Sequence, residues 1–422
     1  MPKTYRELFA ELEIPGSEHT AREIAQQPAV WRQVADILQA ARPELNTKVA
    51  PLIQRPDLRI ILTGAGTSAY IGDTLAPALT EQLGCLVEAI PTTDIVANPR
   101  AVFAGDQPTL LVSFARSGQS PESVAAAELA EQCLTEVHHL IITCNADGYL
   151  ATAQANQPRS TVLLLPPETN DKSFAMTSSF TSMLLTGWLA LSGTSAAESA
   201  VMCDQLAKAG EALLNQRAAE IKDLAFPKPG RIVYLGSGAL AGVAKEAGLK
   251  ILELTAGQVA PWSDSSLGFR HGPKAILDPA TLAVVFVSSD PYRRRYDLDI
   301  AREVQTALPA GRVLVLSAEP TDVAGVLNWT LPGVNSNGLN SDGVNSADLK
   351  SDVINSADLN SDGSTGANRE VNDVPTALLG VLVAQALALF SAVSLGCTPD
   401  NPFPSGSVNR VVQGVTIYPL TS

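Results

Sequence analysis

The chain repeats itself. The segment RIILTGAGTSAYIGDTLAPAL (59–79) returns as RIVYLGSGALAGVAKEAGLKI (231–251), 172 residues later. At the same offset TLLVSF (109–114) corresponds to TLAVVF (281–286). HHLIITCN (138–145) pairs more loosely with RVLVLSAE (312–319), and STVLLLPP (160–167) with NWTLPG (328–333). Self-similarity at a fixed offset means that one structural plan is used twice. Each unit reads strand, Gly-rich turn, helix, strand, polar turn, helix, strand, then a last strand and an uncharged helix. Short Val/Ile/Leu-rich runs between helical stretches imply parallel strands covered on both faces. The expected fold class is therefore α/β, with two tandem doubly wound parallel-sheet domains and ligand sites outside the strand C-termini. The boundaries read 1–50 for an N-terminal helical extension, 51–212 for the first domain and 213–422 for the second.

The 422 residues accommodate this plan at about 100–200 residues per domain. Apolar residues make up 45% but aromatics only 5%, so the core must be built mainly from Ala, Leu and Val. The charge count, 29 basic against 43 acidic, leaves −14. That argues against nucleic acid and against an anionic membrane surface as partners. It does not exclude a small anionic substrate, because net charge is not local potential. Five cysteines form no CxxC pair, which points to reduced thiols in a cytoplasmic setting. The chain has four histidines, two of them adjacent (His138, His139), which makes a His-rich metal centre improbable. No metal and no cofactor are expected. Met1 to Glu13 lacks the apolar run of a signal peptide. Two uncharged stretches, Ser173 to Ala197 and Val374 to Pro399, rival membrane spans in length. Neither has flanking basic clusters or aromatic belts, so both read as buried helices.

Ahead of the first unit, Glu18 to Thr20 offers a helix cap. Ile24, Val30, Val34, Ile37 and Leu38 then form an apolar stripe, which Pro28 should bend or interrupt. A linker near 195–230 holds an amphipathic helix, Ala197 to Ala225, ending at FPKPG. Within the second unit lies a polar repeat insertion, 333–373, with Leu339, Val344, Leu349, Ile354 and Leu359 at five-residue spacing. It reads either as a pentapeptide-like β-helical coil or as a disordered loop. Asp358 to Gly363 also matches the start of a calcium loop. Arg369 stands where the bidentate Glu is needed, so calcium binding is disfavoured.

Two turns carry the chemistry. Thr63-Gly-Ala-Gly-Thr-Ser68 follows an apolar strand and opens a helix. Its glycines allow a tight turn, and Thr67 and Ser68 can cap the helix or bind an anion. Ala69 stands where a dinucleotide fingerprint has its third Gly, which weakens a nucleotide reading. The second turn, Ala115-Arg116-Ser117-Gly118-Gln119-Ser120, meets a helix beginning at Pro121. Free N–H groups, the hydroxyls of Ser117 and Ser120 and the helix dipole form a phosphate cradle. The plainer alternative is that Ser120 only caps the helix, with Ser123 nearby.

This second turn resembles the SxSGxS/T signature of the SIS (sugar isomerase) domain, and GAGTSAY fits beside it. SFARSGQSPES (113–123), ETNDKSFAMTSSFTSM (168–183), WSDSSLGFRHGPKA (262–275) and NPFPSGSVNRVVQGVTIYP (401–419) together resemble the AgaS-type family. That family comprises galactosamine-6-phosphate deaminases or tagatose-6-phosphate ketose/aldose isomerases, related to the isomerase half of glucosamine-6-phosphate synthase. The resemblance covers nearly the whole chain outside the insertion. It implies two flavodoxin-like SIS domains. It also implies that Thr67, Ser68, Arg116, Ser117, Gln119 and Ser120 surround a sugar phosphate. Ala115 replaces a phosphate-binding Ser of the synthase, a loss that the charge of Arg116 can offset.

In the second unit the phosphate turn has become Val287-Ser-Ser-Asp290, hostile to an anion, so one phosphate pocket per chain is expected. KEAGLKILE (245–253) places Glu246, Lys250 and Glu253 on one helix face. Taken alone this is an ordinary polar face with a Glu–Lys pair. The resemblance makes Glu253 the base of an isomerisation, with Glu246 and Lys250 beside it, and makes His271 the ring-opening group. Gln413 stands where the synthase has a Schiff-base Lys, which leaves more of ring opening to His271. Asn409 and Arg410 are candidates for closing the pocket.

The implied reaction is deamination of galactosamine 6-phosphate to tagatose 6-phosphate and ammonia, a hydrolase built on aldose–ketose chemistry. The alternatives are a ketose/aldose isomerase of non-amino sugar phosphates and a sugar-phosphate-sensing SIS protein. The absence of a glutaminase half favours deamination over synthesis, and the lack of a helix-turn-helix weakens the sensor reading. The resemblance further implies a homodimer with the site near the subunit interface, where His271 can act across it.

Overall fold

A computed structural model describes residues 3–12, 15–335, 338–339, 372–412 and 414–421. The polar repeat from 340 to 371, with its coil, disorder and calcium readings, lies outside the described residues, as does Gln413. In the first unit the elements are α1 (Glu18–Glu44), β1 (Arg59–Thr63), α2 (Thr67–Leu83), β2 (Val87–Ala89), β3 (Thr109–Ala115), α3 (Pro121–Cys133), β4 (Val137–Thr143), β5 (Ser160–Leu164) and α4 (Ser178–Leu191). The long helix α5 (Ala196–Ala225) leads to the second unit. There follow β6 (Arg231–Leu235), α6 (Ala239–Leu254), β7 (Ala260–Asp264), β8 (Leu282–Val287), α7 (Pro291–Ala307), β9 (Val313–Ser317), β10 (Leu327–Thr330) and α8 (Val374–Ser394).

The two units form separate five-stranded parallel sheets, in the orders β2-β1-β3-β4-β5 and β7-β6-β8-β9-β10. These are the same order read twice, as the repeat requires. β1 and β6 begin 172 residues apart, and the turns behind them match to the dihedral. Gly66 has φ 55° and ψ −126°, and Gly238 has φ 57° and ψ −128°. Only glycine adopts that conformation cheaply. The first glycine of each turn has a different constraint. A side chain on Gly64 or Gly236 would lie 2.6 Å from the backbone of Ser68 or Leu240 in the following helix.

Between the sheets runs a layer of helices. Residues 374–393 of α8 are all buried, packed against α6, α5, α1, α4 and α2. Every residue of α4 is buried as well. Both uncharged stretches are thus core helices. Among the described residues α8 alone is long and apolar enough to cross a membrane, and its apolar span is 100% buried inside the protein. Burying each of its Leu, Val and Phe side chains contributes about 1.5–3 kcal/mol, so this helix is a major part of the core.

Two local expectations are corrected. α1 runs unbroken through Pro28 for 27 residues. Pro28 and Trp31 lie against Gly210 of α5, where an added Cβ would meet Trp31 at 2.8 Å and Pro28 at 3.2 Å. Tertiary packing at a bare glycine outweighs the lost backbone hydrogen bond. The cap of α1 comes from far away. The Asp400 carboxylate accepts from the N–H groups of His19 (3.0 Å) and Thr20 (2.7 Å) and from the Thr20 hydroxyl. This contact ties the C-terminal segment to the first helix.

Candidate active site

β1 and β3 are neighbours in the first sheet, with Thr63 opposite Ser113. The chain leaves β1 toward one face and β3 toward the other, so the two turns flank the crevice where α/β sheets bind ligands. Thr67 and Ser68, at the start of α2, are both buried. Behind β3, Gly118 has φ 63°, and Ser120 is the N-cap of α3 with no side-chain cap bond. The Ser120 hydroxyl instead donates to Ser123 at 2.7 Å, and the Gln119 N–H donates to the Ser117 hydroxyl at 3.3 Å. The Ser120 hydroxyl, not spent on the backbone, leaves the helix N-terminus open to an anion.

Arg116 is buried at 6% exposure, and no carboxylate lies within ion-pair distance of it among the described residues. It donates to two backbone carbonyls, those of Phe174 (3.3 Å) and Arg410 (2.9 Å). Burial and the neighbouring Arg410 charge both pull its pKa down. A desolvated guanidinium held by neutral carbonyls retains its full attraction for an incoming anion.

The second unit reaches into the same crevice. On α6, Lys250 is fully buried and donates to Thr67 Oγ1 at 2.9 Å and to Glu253 Oε2 at 2.5 Å. Glu246, also fully buried, lies 3.4 Å from the same ammonium. Neither Glu246 oxygen accepts a hydrogen bond of good geometry. Burial drives the Glu246 carboxyl up to about 8, with Glu253 adding repulsion and Lys250 opposing. Burial works against the Lys250 ammonium, but the two carboxylates outweigh it and hold its pKa above the ordinary value. Glu253 keeps 21% of its side chain exposed, so of the two carboxylates it is the one that meets solvent.

The helices α2 and α6, equivalent in the repeat, pack closely enough to make this contact. A Cβ on Gly242 would meet Thr74 at 2.4 Å. Lys245 pairs with Asp73 at 2.8 Å across the same seam. Thr67, Ser68, Arg116, Glu246, Lys250 and Glu253 are thus gathered by the fold. His271 stands apart. It is exposed in the turn after Gly268–Arg270, and its side chain makes no hydrogen bond or ion pair among the described residues. Its neighbours Arg270 and Lys274 are both held by Glu303, at 2.6 Å each.

The matching turn of the second unit is filled by the chain itself. Asp290 caps α7 by accepting from the N–H groups of Tyr292 and Arg293. Asp297 accepts from Ser237 (2.5 Å), Ser266 (2.5 Å) and the Ser288 N–H (2.9 Å). Asp373 accepts from the Ser288 hydroxyl (2.6 Å) and the Ser289 N–H (2.7 Å). These three carboxylates consume the donors that face an anion in the first unit.

Arg410, a candidate from the sequence for closing the pocket, and Met176, which the sequence does not single out, complete the surroundings. Arg410 bonds the carbonyls of Ser173 (3.2 Å) and Asp171, and Met176 Sδ lies 4.0 Å from the Ser68 hydroxyl. Segments 168–183 and 401–419 therefore converge on the turn that holds Arg116. Among the described residues no His/Cys/Asp/Glu cluster is arranged to hold a metal.

An SIS-domain family model matches residues 52–193. An AgaS protein from Streptomyces coelicolor is 49% identical over 405 residues, covering 95% of this chain and 96% of the relative. The D-galactosamine-6-phosphate deaminase AgaS of Shewanella sp. is 43% identical over 408 residues, covering 96% and 93%. Among solved structures, the tagatose-6-phosphate ketose/aldose isomerase of Escherichia coli superposes with a TM-score of 0.80. It is 39% identical, with 96% of this chain and 97% of that one covered.

Proposed function

Because the chain belongs to the AgaS family of SIS-domain proteins, we propose that it is a D-galactosamine-6-phosphate deaminase, a hydrolase producing tagatose 6-phosphate and ammonia. The observation that carries this reading is Lys250, which joins Glu253 to Thr67 at the mouth of the first unit's crevice. A phosphate bound by the turn after β3 and by Arg116 would project its sugar toward α6.

The open-chain substrate carries an amine on its second carbon beside the aldehyde. Glu253 takes the proton from that carbon and returns it to the first, which becomes a CH2OH group, and the second carbon becomes an imine. Water adds to the imine, ammonia leaves, and the ketose remains. Lys250 restrains Glu253 and supplies positive charge near the developing enolate oxygen. Burial, which raises the Glu246 carboxyl to about 8, favours its neutral form and so limits the negative charge of the buried cluster. His271, exposed at the surface, would serve ring opening in a second copy of the chain, and the proposed assembly is a homodimer in the cytoplasm.

Incubation with galactosamine 6-phosphate tests the reading, the expected products being one ammonia per ketose 6-phosphate. The similarity to a ketose/aldose isomerase structure favours a second reading, isomerisation without deamination. Interconversion of tagatose 6-phosphate with its aldose, and no ammonia from the amino sugar, would select it. Homodimer and shared site are tested together. Mixing inactive Glu253→Gln and His271→Ala subunits should restore activity, and no recovery on subunit exchange contradicts a shared site.

A further inference from the structure

Two buried carboxylates organise the segment Asn170–Thr177, and neither belongs to the reacting cluster. Asp171, fully buried, accepts from the N–H groups of Thr177 (2.8 Å) and Ser179 (2.9 Å), from the Ser179 hydroxyl (2.6 Å) and from Thr177 and Ser178 hydroxyls. It serves as the cap of α4. Glu23 comes from α1, outside both sheets, and is only 3% exposed. Its Oε1 accepts from the Lys172 N–H at 2.6 Å and the Ser173 N–H at 3.3 Å, and its Oε2 accepts from the Ser173 hydroxyl.

Amide hydrogens drawn inward to carboxylates leave the segment's carbonyls facing the other way. Those carbonyls meet two guanidiniums. Phe174 accepts from Arg116, while Ser173 and Asp171 accept from Arg410. Arg410 in turn offers its own carbonyl to Arg116. Both backbone acceptors of Arg116 therefore depend on the segment that Glu23 grips. Two carboxylates buried side by side cost stability, and an apolar residue at Glu23 would pack on α1 without that cost. A requirement for geometry explains why the acid is there.

We propose that Glu23 is a positioning residue for the anion site. It fixes Lys172 and Ser173, so the Phe174 carbonyl holds Arg116 at the right height, and the N-terminal helix becomes part of the substrate-binding apparatus. This rests on Arg116 being the phosphate contact of the proposed deaminase. Asp171 and Lys172 lie within this segment, and Arg116, Arg410 and Asp400 lie against it.

The test is a double-mutant cycle between Glu23 and Arg116, read by calorimetric titration with inorganic phosphate and by KM for galactosamine 6-phosphate. Glu23→Ala should weaken phosphate binding and raise KM about tenfold, with kcat within about threefold of wild type. Glu23→Gln, whose amide oxygen still accepts both N–H groups, should stay within about threefold in KM. In an Arg116→Ala background, Glu23→Ala should have no further effect on phosphate affinity. If Glu23→Ala does not fold, Ser173→Ala replaces it in the cycle, with a KM rise of a few-fold that vanishes in the Arg116→Ala background. Additive effects across the cycle, or unchanged phosphate affinity in the variant tested, would overturn the inference. Coupling in phosphate binding without any ammonia release would support Glu23 positioning and sink the deaminase reading instead.

Discussion

Lys250 donates to the hydroxyl of Thr67 at 2.9 Å although 183 positions separate them, and through this bond the second unit completes the crevice of the first. Each unit alone holds half of the chemistry. The first has the turns that suit a phosphate, and the second has the helix that carries the acid and the ammonium.

Arg116 should set affinity rather than turnover. A charge-assisted hydrogen bond contributes about 1.5–3 kcal/mol, so Arg116→Ala should raise KM about 10- to 100-fold. Titration with phosphate should show one site per chain in wild type, because Asp290, Asp297 and Asp373 occupy the donors of the second unit. Two equivalent sites per chain, or an unchanged KM in the variant, would contradict this.

The Glu246 carboxyl, raised to about 8, gives stability a specific pH dependence. Below the unfolded-state value near 4.5 both states hold the proton, and the group costs nothing. Between there and about 8 the unfolded chain releases its proton while the folded chain keeps it, so stability falls as pH rises. The effect is on the order of a few kcal/mol at most. Glu246→Gln removes it. The melting temperature of wild type relative to Glu246→Gln should therefore drop between pH 5 and pH 8 in paired scans, and a flat difference would refute the buried, protonated acid.

Packing at Gly242 should be felt in catalysis. An added methyl would lie 2.4 Å from Thr74 and must push α6 away from α2. Overpacking of this kind costs about 1–3 kcal/mol. Gly242→Ala should lower the melting temperature by a few degrees. It should also cut kcat, because the shift draws Lys250 off Thr67. Full activity in a destabilised variant would show that the Thr67 contact is dispensable.

Local patterns made the architecture legible. The repeat, the apolar runs and the glycine turns place four strands of each sheet but miss the short edge strands β2 and β7, and α8 reads correctly as a core helix because no charge interrupts it. Pro28 misleads, since the glycine that accommodates it lies on another helix, at Gly210. Asp400 as the cap of α1 is equally hidden, 380 residues from Thr20. Within the candidate site, Glu246, Lys250 and Glu253 show as a helix face, but their burial does not, because it depends on α2 packing alongside. Glu23 carries no signal at all. Its partners lie about 150 positions away, and an acid on an amphipathic helix ordinarily faces water.

The most direct test of the account is the rate of ammonia release from galactosamine 6-phosphate by wild type and Glu253→Gln at equal enzyme concentration. The substitution keeps the hydrogen-bonding shape and removes the base. Ammonia in step with ketose from wild type, and a kcat lower by about 10²–10⁴-fold in the variant with little change in KM, is the predicted result. Equal turnover by both proteins would contradict the account at its centre.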